Sequence, residues 1–365
     1  MRHLTPNAAE KRRKKVAREA EKKAIELARY VIPVAAFTSM VHTLSGIVLH
    51  RLHRMMRTGD TPTEAEAVVT AMVDHVRAVD PDFFEKVGDG PLAGSEVIES
   101  RWPDLRADGD ALAASVDQRL GARTSLLVDF TARAPETTAE AVRMVLGSSS
   151  DRLSDGEALA RVLDPSLNRY RLETLNLNVH SPLSRALHHA SYTFLKRLSH
   201  TADSQDQRHR MVPGSRPLMT LTDTRAPDFV TPPLIAANPR AHEIYLAAME
   251  RAWRAKERLL EMGVSREAAL YVLPNAKALR FHETGSLLYL AHKWVMRTCF
   301  NAQEEIYRAS MDELDQLRAV HPELARHMGP PCVLRAGRIT PTCTEGEHFC
   351  GVPVWRHFPA VERRI

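Results

Sequence analysis

The tripeptide Arg208-His209-Arg210 combines residue types and spacing that suggest anion binding. If it is extended, alternate side chains point to opposite faces, so both guanidinium groups lie on one face and the imidazole on the other. A guanidinium grips a phosphate through two parallel N–H donors, so a pair of them suits a phosphate or pyrophosphate. The tripeptide therefore predicts a site for an anionic cofactor or nucleotide. The alternative interpretation is a solvated basic loop.

The residues upstream of this tripeptide form an ordered set. His189 stands beside an alternating segment, Ala190–Leu195, and opens an H-x-x-x-T-F pattern. Gln205 stands three residues before Arg208. The histidine pattern, the glutamine and the R-H-R tripeptide follow one another in this order, and the segment thereby resembles the flavin-dependent thymidylate synthases. The signature of that family is R-H-R-x-x-S followed by N-E-x-S-x-R-Y.

The second half of that signature is absent. Pro213 stands where the family has its first serine, and Arg216 stands where it has glutamate. Ser215 offers only a displaced hydroxyl. A uridylate site without this segment must recover charged hydrogen bonds, worth about 1.5–3 kcal/mol each, from other residues. Arg216 is the nearest candidate.

The resemblance implies a fold, a reaction and a set of site residues. The fold is α+β, mostly helical, with one small mixed or antiparallel sheet. The family binds FAD, takes a one-carbon unit from methylenetetrahydrofolate and reduces it with NADPH, which converts dUMP to dTMP. The resemblance assigns no catalytic residue. The implied cofactor-binding residues are His189, Arg208, His209, Arg210, Ser286 and Asn301, and the implied nucleotide-binding residues are Arg29, Gln205, Ser215, Arg216 and Arg297.

Three functions remain open from the sequence. The first is a divergent flavin-dependent thymidylate synthase. The second keeps the flavin scaffold but methylates another pyrimidine nucleotide or nucleoside, since the N-E-x-S-x-R-Y segment is missing. The third is a non-catalytic flavin- or nucleotide-binding homologue that acts as an assembly partner.

Composition limits the class of protein. Of 365 residues, 44% are hydrophobic and 26% are charged, which is typical of a globular chain and not of a disordered one. A net charge of +5 favours phosphorylated ligands. Much of the excess lies in the run Lys11–Lys23, which we interpret as a solvent-exposed helix. Nucleic-acid binding is the alternative, and no zinc-finger, RRM or P-loop spacing supports it.

The location expected from the sequence is the cytoplasm. No apolar run approaches the roughly 20 residues that a membrane helix needs. The first residues lack the apolar core of a signal peptide. Four cysteines are consistent with a reducing compartment.

A segment of the chain recurs at a constant offset of 241 residues. Glu26–Gly88 aligns without a gap to Glu267–Gly329, with 17 identities in 63 positions. Composition alone would give roughly one identity in fifteen positions. A match of this length predicts an internal duplication of a helical unit.

Both copies resemble the C-terminal helical half of the synthase family, which carries A-R-x-V-L-P, T-x-N-x-R and A-Q-x-E-I. Arg29 in the first copy matches a family arginine that contacts the uridylate, where the second copy has Leu270. Arg297 in the second copy matches another nucleotide-contacting arginine, where the first copy has Met56. Sites of this family form between subunits of a homotetramer. We therefore expect the first copy to act in cis, so that a homodimer forms a pseudo-tetramer.

The predicted organisation has five parts and several secondary-structure elements. Helices are expected over Ala9–Arg57 with an interruption near Pro33, over Thr63–Val79, around Thr138–Leu146 and over Leu153–Leu163, and a strand over Ser125–Phe130. The parts are a basic N-terminal helix (1–25), a partial synthase-like repeat (26–90), a connecting segment (91–124), a synthase-like unit with the R-H-R motif (125–330) and a cysteine-containing tail (331–365).

The tail contains a candidate metal site. Cys332, Cys343, His348 and Cys350 are three thiols and an imidazole, an acceptable tetrahedral set for a structural zinc ion. Their spacing is not that of a standard zinc finger, so the alternative is a set of buried free cysteines. Cys299 stands apart from them, in a stretch predicted to be helical.

Overall fold

A four-stranded antiparallel sheet organises the protein. In the computed structural model, which describes residues 6–58, 61–88, 90–97, 107–173 and 175–363, the strand order is β1-β2-β4-β3. Parts of the predicted segments (residues 1–5, 59–60, 89, 98–106, 174 and 364–365) lie outside the described residues. The strands are β1 (Ser125–Phe130), β2 (Ser191–Ser199), β3 (Gly214–Ser215) and β4 (Ala278–Ser286). β1 has the predicted bounds.

Helices account for most of the remaining regular structure, so the predicted class, mostly helical with one small antiparallel sheet, is confirmed. The α-helices are α1 (Pro6–Ala28), α2 (Gly46–Met55), α3 (Thr63–Val79), α4 (Phe83–Val87), α5 (Gly109–Leu120), α6 (Ala134–Leu146), α7 (Asp155–Leu163), α8 (His200–Asp206), α9 (Pro233–Ala236), α10 (Pro239–Glu261), α11 (Arg266–Leu270), α12 (Leu287–Arg297), α13 (Glu304–Val320), α14 (Pro322–Ala325) and α15 (Pro331–Arg335). Short 3-10 turns cover Arg29–Val31, Gly94–Glu96, Arg169–Leu172, Leu177–His180, Ser184–His189, Gly346–His348 and Val354–Arg356.

Local signals explain several helix bounds. α3 occupies the predicted span. α7 begins with a capping box, in which the Ser154 hydroxyl accepts from the Glu157 amide and the Glu157 carboxylate accepts from the Ser154 amide. α6 begins four residues before the predicted start, because Pro135 in its first turn needs no amide partner.

The expectation of helix over Ala9–Arg57, broken only near Pro33, is wrong for residues 36–45. α1 ends at Ala28, and the chain is irregular from residue 36 until α2 begins at Gly46. Phe37, Met40 and Val41 recur at helical intervals, but they are not in a helix and their side chains are 76–105% exposed. The equivalent residues of the second copy form β4, so the repeated unit is not entirely helical either. Strand partners, rather than local periodicity, decide the conformation of this sequence.

The two copies contact each other through a symmetric set of backbone hydrogen bonds. Pro33 and Pro274, which are 241 residues apart, form an antiparallel bridge. Around it, each hydrogen bond from one copy has a counterpart in the other at the same offset. The two pairs are Val34 N to Leu273 O with Asn275 N to Ile32 O, both 2.8 Å, and Ala35 N to Tyr271 O (3.4 Å) with Ala276 N to Tyr30 O (2.8 Å).

The helices that follow this contact keep the same offset. α2 and α12 begin at Gly46 and Leu287, and α3 and α13 cover 63–79 and 304–320, all 241 residues apart. Their environments differ, because α12 and α13 pack on the sheet. The main core lies there and joins β2 to α6, α7, α12 and α13 through Phe194, Leu159, Trp294 and Leu317, among others.

Candidate functional site

The Arg208-His209-Arg210 tripeptide lies in a turn that follows α8, so the prediction of an extended segment is wrong. The His209 amide donates to the carbonyl of Asp206 at 3.1 Å, which turns the chain at the helix end. Arg208 and Arg210 are exposed and His209 is half-buried. The two guanidinium groups are therefore more exposed than the imidazole. The cause is the turn and not the alternation of side chains along a strand.

Arg297, at the end of α12, joins two other predicted residues. Its Nε donates to His209 Nε2 at 2.9 Å, and its Nη2 donates to the backbone carbonyl of Gln205 at 2.9 Å. Burial, followed by the nearby charges of Arg297 and Lys293, lowers the pKa of His209 to about 3. The imidazole is therefore neutral near pH 7, as its role as acceptor requires. These hydrogen bonds do not include Arg29, which is exposed in the turn Arg29–Val31.

A buried charge cluster lies behind this turn. Lys196 of β2 pairs with Asp206 (2.7 Å), Glu283 (3.1 Å) and Glu313 (3.2 Å). Lys293 of α12 pairs with Asp206 at 3.1 Å and also with Glu283. All five side chains are at most 1% exposed. The cluster links β2, β4, α8, α12 and α13 and holds Asp206 directly before the Arg-His-Arg turn.

The carboxylates of the cluster differ in protonation tendency. Burial raises the pKa of Glu283 above its ordinary value, although both lysines oppose this. Burial also acts on Asp206, but Lys196 and Lys293 outweigh it and hold the pKa of that carboxyl well below its usual range. Three carboxyl groups face two ammonium groups, so a proton shared at Glu283 would make the buried cluster neutral.

Ser286 and His189 lie at one end of the two central strands, where β2 begins opposite the end of β4. The Ser286 hydroxyl lies 3.1 Å from Nδ1 of His188, whose ring packs edge-on against Tyr289 at 5.2 Å. His189 is exposed beside it. The histidine that contacts Ser286 is thus the neighbour of the predicted one.

Arg216 is engaged within the protein. Its guanidinium makes a bidentate contact with Asp203, at 2.8–3.0 Å, and lies 4.7 Å from the centre of the Phe281 ring. Ser215 donates from its hydroxyl to the carbonyl of His282 at 3.3 Å. Arg216 and Ser215, both expected to bind the nucleotide, therefore connect the β3 region to α8 and β4.

A cavity of about 310 Å³ lies between α12 and the C-terminal segment. Its lining includes His292, Met296, Arg335 and Arg171, whose side chain is 7% exposed. Nε of Arg171 has no hydrogen-bond partner among the described residues, and burial lowers its pKa to about 10. The His292 ring lies 6.0 Å from that of His209. The cavity thus reaches the Arg-His-Arg turn through two imidazoles packed edge to face. It is also lined by Arg171, whose Nη2 donates to the His327 carbonyl at 3.3 Å while its Nε has no partner in the described chain. A free N–H of this kind suits a ligand with anionic or carbonyl oxygens.

The remaining predicted residues lie beside the C-terminal segment. The Asn301 amide donates to Glu345 Oε2 (3.0 Å) and to the His348 carbonyl (2.8 Å). Cys332, Cys343 and Cys350 line a second, smaller cavity together with Cys299, whereas the His348 side chain is exposed and outside that lining. In the described part of the chain, no three His, Cys, Asp or Glu side chains stand at metal-binding positions.

No sequence pattern predicted the charge cluster, His188, His292, Arg171 or Cys299. Two lysines of the cluster nevertheless carry a signal in the sequence. Lys196 interrupts the apolar segment of β2, and Lys293 falls between Ala291 and Trp294 on an apolar helix. A lysine at an inward position predicts a buried partner. Arg171 and His292 have no comparable local signal.

Comparison with known proteins identifies the family. The sequence model of the thymidylate synthase complementing protein family matches residues 3–82 and 126–323, which is more than half of the chain. The chain belongs to this family. The match ends before the cysteine-containing tail.

Several relatives carry the name flavin-dependent thymidylate synthase. The protein of Geobacter sulfurreducens is 32% identical over 168 residues, 45% of this chain and 70% of the relative. That of Nitratidesulfovibrio vulgaris is 34% identical over 178 residues, 46% of this chain and 71% of the relative. That of Sulfurisphaera tokodaii is 33% identical over 158 residues, 42% of this chain and 60% of the relative. Among the residues that the structure describes, none of the helices has both the length and the apolar character needed to cross a membrane.

Proposed function

We propose that this protein is a flavin-dependent enzyme that methylates C5 of dUMP, or of a related uridine nucleotide, with methylenetetrahydrofolate and NADPH as co-substrates. The observation that carries the proposal is the neutral His209 held by Arg297. Its ring packs edge to face on His292, which lines a cavity of about 310 Å³ together with Arg171, whose Nε has no partner among the described residues. Family membership and the names of the relatives support the same reaction class.

FAD, when bound, supplies the hydride chemistry of such a reaction. The chain's own residues bind and orient the ligands. The exposed guanidiniums of Arg208 and Arg210 are available for phosphate groups, since neither is engaged as Arg216 is. The neutral His209 keeps a further positive charge from accumulating beside Arg297. His189 and Ser286 stand at one end of the two central strands, where they can contact the outer part of the ligand.

The acceptor we propose is a uridine compound, held through its phosphate. Arg216 does not offer a free guanidinium for a nucleotide phosphate, because Asp203 holds it at two points. The phosphate contacts then fall to Arg208, Arg210 and Arg29. Methyl transfer from labelled methylenetetrahydrofolate is to be measured with dUMP, UMP and uridine. We expect transfer to a phosphorylated acceptor, and equal transfer to uridine would contradict phosphate recognition.

A second function is favoured by one specific observation. Asn301 and Arg216, two positions expected to contact ligands, are hydrogen-bonded to other parts of the chain. A homologue that binds a flavin or nucleotide without turnover, and acts in assembly, explains those contacts equally well. Binding of FAD without bleaching by NADPH in the presence of every acceptor would favour this alternative.

We also infer that the repeat is a duplication with a role in assembly, which rests on the proposed function. The symmetric hydrogen bonds at Pro33 and Pro274 and the helices at the 241-residue offset support it. Residues 36–45 correspond to β4 but expose Phe37, Met40 and Val41. A second copy of this chain is the occupant we propose for that apolar segment. Such a homodimer contains four helical units, a pseudo-tetramer, in which the first copy supplies Arg29 in cis.

A further inference from the structure

The cavity of about 310 Å³ is lined by a buried cation that has no counter-charge. Arg171, in the turn Arg169–Leu172, is 7% exposed, and its Nη2 contacts the His327 carbonyl (3.3 Å) and the Met328 sulfur (3.8 Å). Its Nε has no partner, and no carboxylate pairs with its guanidinium in the part of the chain that the structure describes. A charge taken out of water without a partner is costly. An anionic ligand in the cavity removes that cost.

The tail beyond the family match supplies a second guanidinium to the same cavity. The match ends at residue 323, and α15 lies beyond it, packed against the turn that carries Arg171. Arg335 of α15 lines the cavity and is fixed at one point, where its Nε donates to the Pro341 carbonyl at 3.1 Å. Within the described residues its two Nη nitrogens make no hydrogen bond or ion pair, so they are available to a ligand.

Two carboxylates also line the cavity, but neither neutralises these arginines. Glu345 is engaged by the Asn301 amide at 3.0 Å, and Glu173 is exposed. Among the described residues, neither forms an ion pair with the two guanidinium groups. His292 is not a counter-charge, because burial and the charge of Arg171 lower its pKa. Most of the remaining lining is apolar, so water screens an ion in this cavity only weakly.

We propose that Arg171 and Arg335 together bind one oxyanion, a phosphate or carboxylate group of the ligand that occupies this cavity. Guanidinium groups bind both kinds of oxyanion through N–H donors, and here a free Nε and two free Nη nitrogens face one space. The tail is thereby part of the ligand site. The position of the rest of the ligand, towards His292 and His209, rests on the proposed function.

Two compounds of the proposed reaction carry such a group. FAD contains a pyrophosphate, and the folate co-substrate ends in the carboxylates of its glutamate. Both present the same chemistry to a pair of arginines. Matched ligands that lack the charge distinguish the two sources, because riboflavin has no phosphates and the diamide of folic acid has no carboxylates.

The test is isothermal titration calorimetry of the full chain with FAD, riboflavin, folic acid and folic acid diamide. Arg335→Met is compared with the wild type and with Arg356→Met, the matched control, because Arg356 is an exposed arginine of the same tail outside the cavity lining. We expect Arg335→Met to weaken binding of FAD or of folic acid by about 10-fold or more, as loss of a charge-assisted contact predicts. Binding of the corresponding uncharged ligand should not change, and Arg356→Met should match the wild type throughout.

Arg171→Met separates a role in ligand binding from a role in the fold. It should weaken the same anionic ligand as Arg335→Met. Without ligand its unfolding temperature should equal or exceed that of the wild type, because methionine removes an unpaired buried charge. An arginine that only supports the fold gives the opposite pattern, a lower unfolding temperature with unchanged affinity.

The proposal is overturned if Arg335→Met binds FAD and folic acid as tightly as the wild type, or weakens charged and uncharged ligands alike. A wild-type chain that binds neither FAD nor folic acid contradicts the proposed function, and inorganic pyrophosphate then decides the oxyanion site. Pyrophosphate should raise the unfolding temperature of the wild type and of Arg356→Met more than that of Arg335→Met. An equal shift in all three proteins, or no shift in any, overturns the site.

Discussion

At the scale of single residues, the site depends on an imidazole that stays neutral. His209 accepts from Arg297 through Nε2, which it can do only without a proton on that nitrogen. Burial and the adjacent cations keep its pKa near 3, far below its ordinary value. Arg297 is thereby oriented without competition from a second cation, and the pH dependence of folding should report this arrangement.

His209 should make the protein less stable in acid. Between the ordinary histidine pKa of about 6.5 and the folded value of about 3, the unfolded chain binds a proton that the folded chain does not. The free energy of unfolding therefore falls as the pH drops through this window, by up to about 1.4 kcal/mol per pH unit from this residue. His209→Gln should remove that contribution. Urea denaturation at pH 7.5, 6, 5 and 4.5 measures the difference.

The control for this experiment is His75→Gln, an exposed position in α3. It should leave the pH dependence of the wild-type chain unchanged. If His209→Gln and the wild-type chain lost stability in parallel down to pH 4.5, the imidazole would not be the buried neutral group described above.

At the scale of elements, the charge cluster joins two strands to three helices. Sequence patterns placed β1 and α3 correctly because their apolar spacing is local and their environments are ordinary. They did not place the cluster, because its ion pairs cross between β2, β4, α8, α12 and α13, and these elements meet only in the folded chain. They also failed at residues 36–45, where the same repeated sequence is a strand in one copy and irregular in the other.

Removal of one cation from the cluster should cost much more than removal of a surface cation. Lys293→Met leaves Asp206 and Glu283 with one ammonium fewer in a water-free site, and we expect a loss of about 3–5 kcal/mol in the free energy of unfolding. The double variant with Glu283→Gln should recover part of that loss, since the raised pKa of Glu283 shows that its neutral form is tolerated.

Lys86→Met is the matched control, because Lys86 pairs with Asp82 at an exposed surface. It should change the free energy of unfolding by less than about 0.5 kcal/mol. Equal effects of Lys293→Met and Lys86→Met in urea denaturation would show that the cluster is not the buried link we describe.

At the scale of the whole molecule, the two related halves predict an assembly. The Pro33–Pro274 contact is symmetric, but only the second copy completes a sheet with β2 and β3. The first copy leaves Phe37 and Val41 fully exposed, which is unusual for side chains of their type. The repeat was visible in the sequence because it needs only identity at a fixed offset. The mutual contact of the copies was not, because it depends on the folded chain.

Phe37→Asp combined with Val41→Asp should convert a dimer into monomers. Charge in a desolvated interface is costly, so the apparent mass from light scattering should fall by half at micromolar concentration. Met144→Asp, at an exposed position of α6, is the control and should leave the mass unchanged. A monomeric wild-type chain, or a double variant that stays dimeric, would contradict the proposed pseudo-tetramer.

We propose that His209 belongs to a flavin site, to which Arg297 contributes by holding the imidazole in place. The most direct test of this proposal is the visible absorption and fluorescence quenching of FAD titrated into the purified chain, compared with Arg297→Ala and with Arg258→Ala, an exposed arginine of α10. Loss of a charge-assisted contact of about 1.5–3 kcal/mol predicts a dissociation constant roughly 10- to 150-fold higher for Arg297→Ala and unchanged for Arg258→Ala. A wild-type chain that binds no FAD, or an Arg297→Ala variant that binds it as tightly as the wild type, would contradict the account.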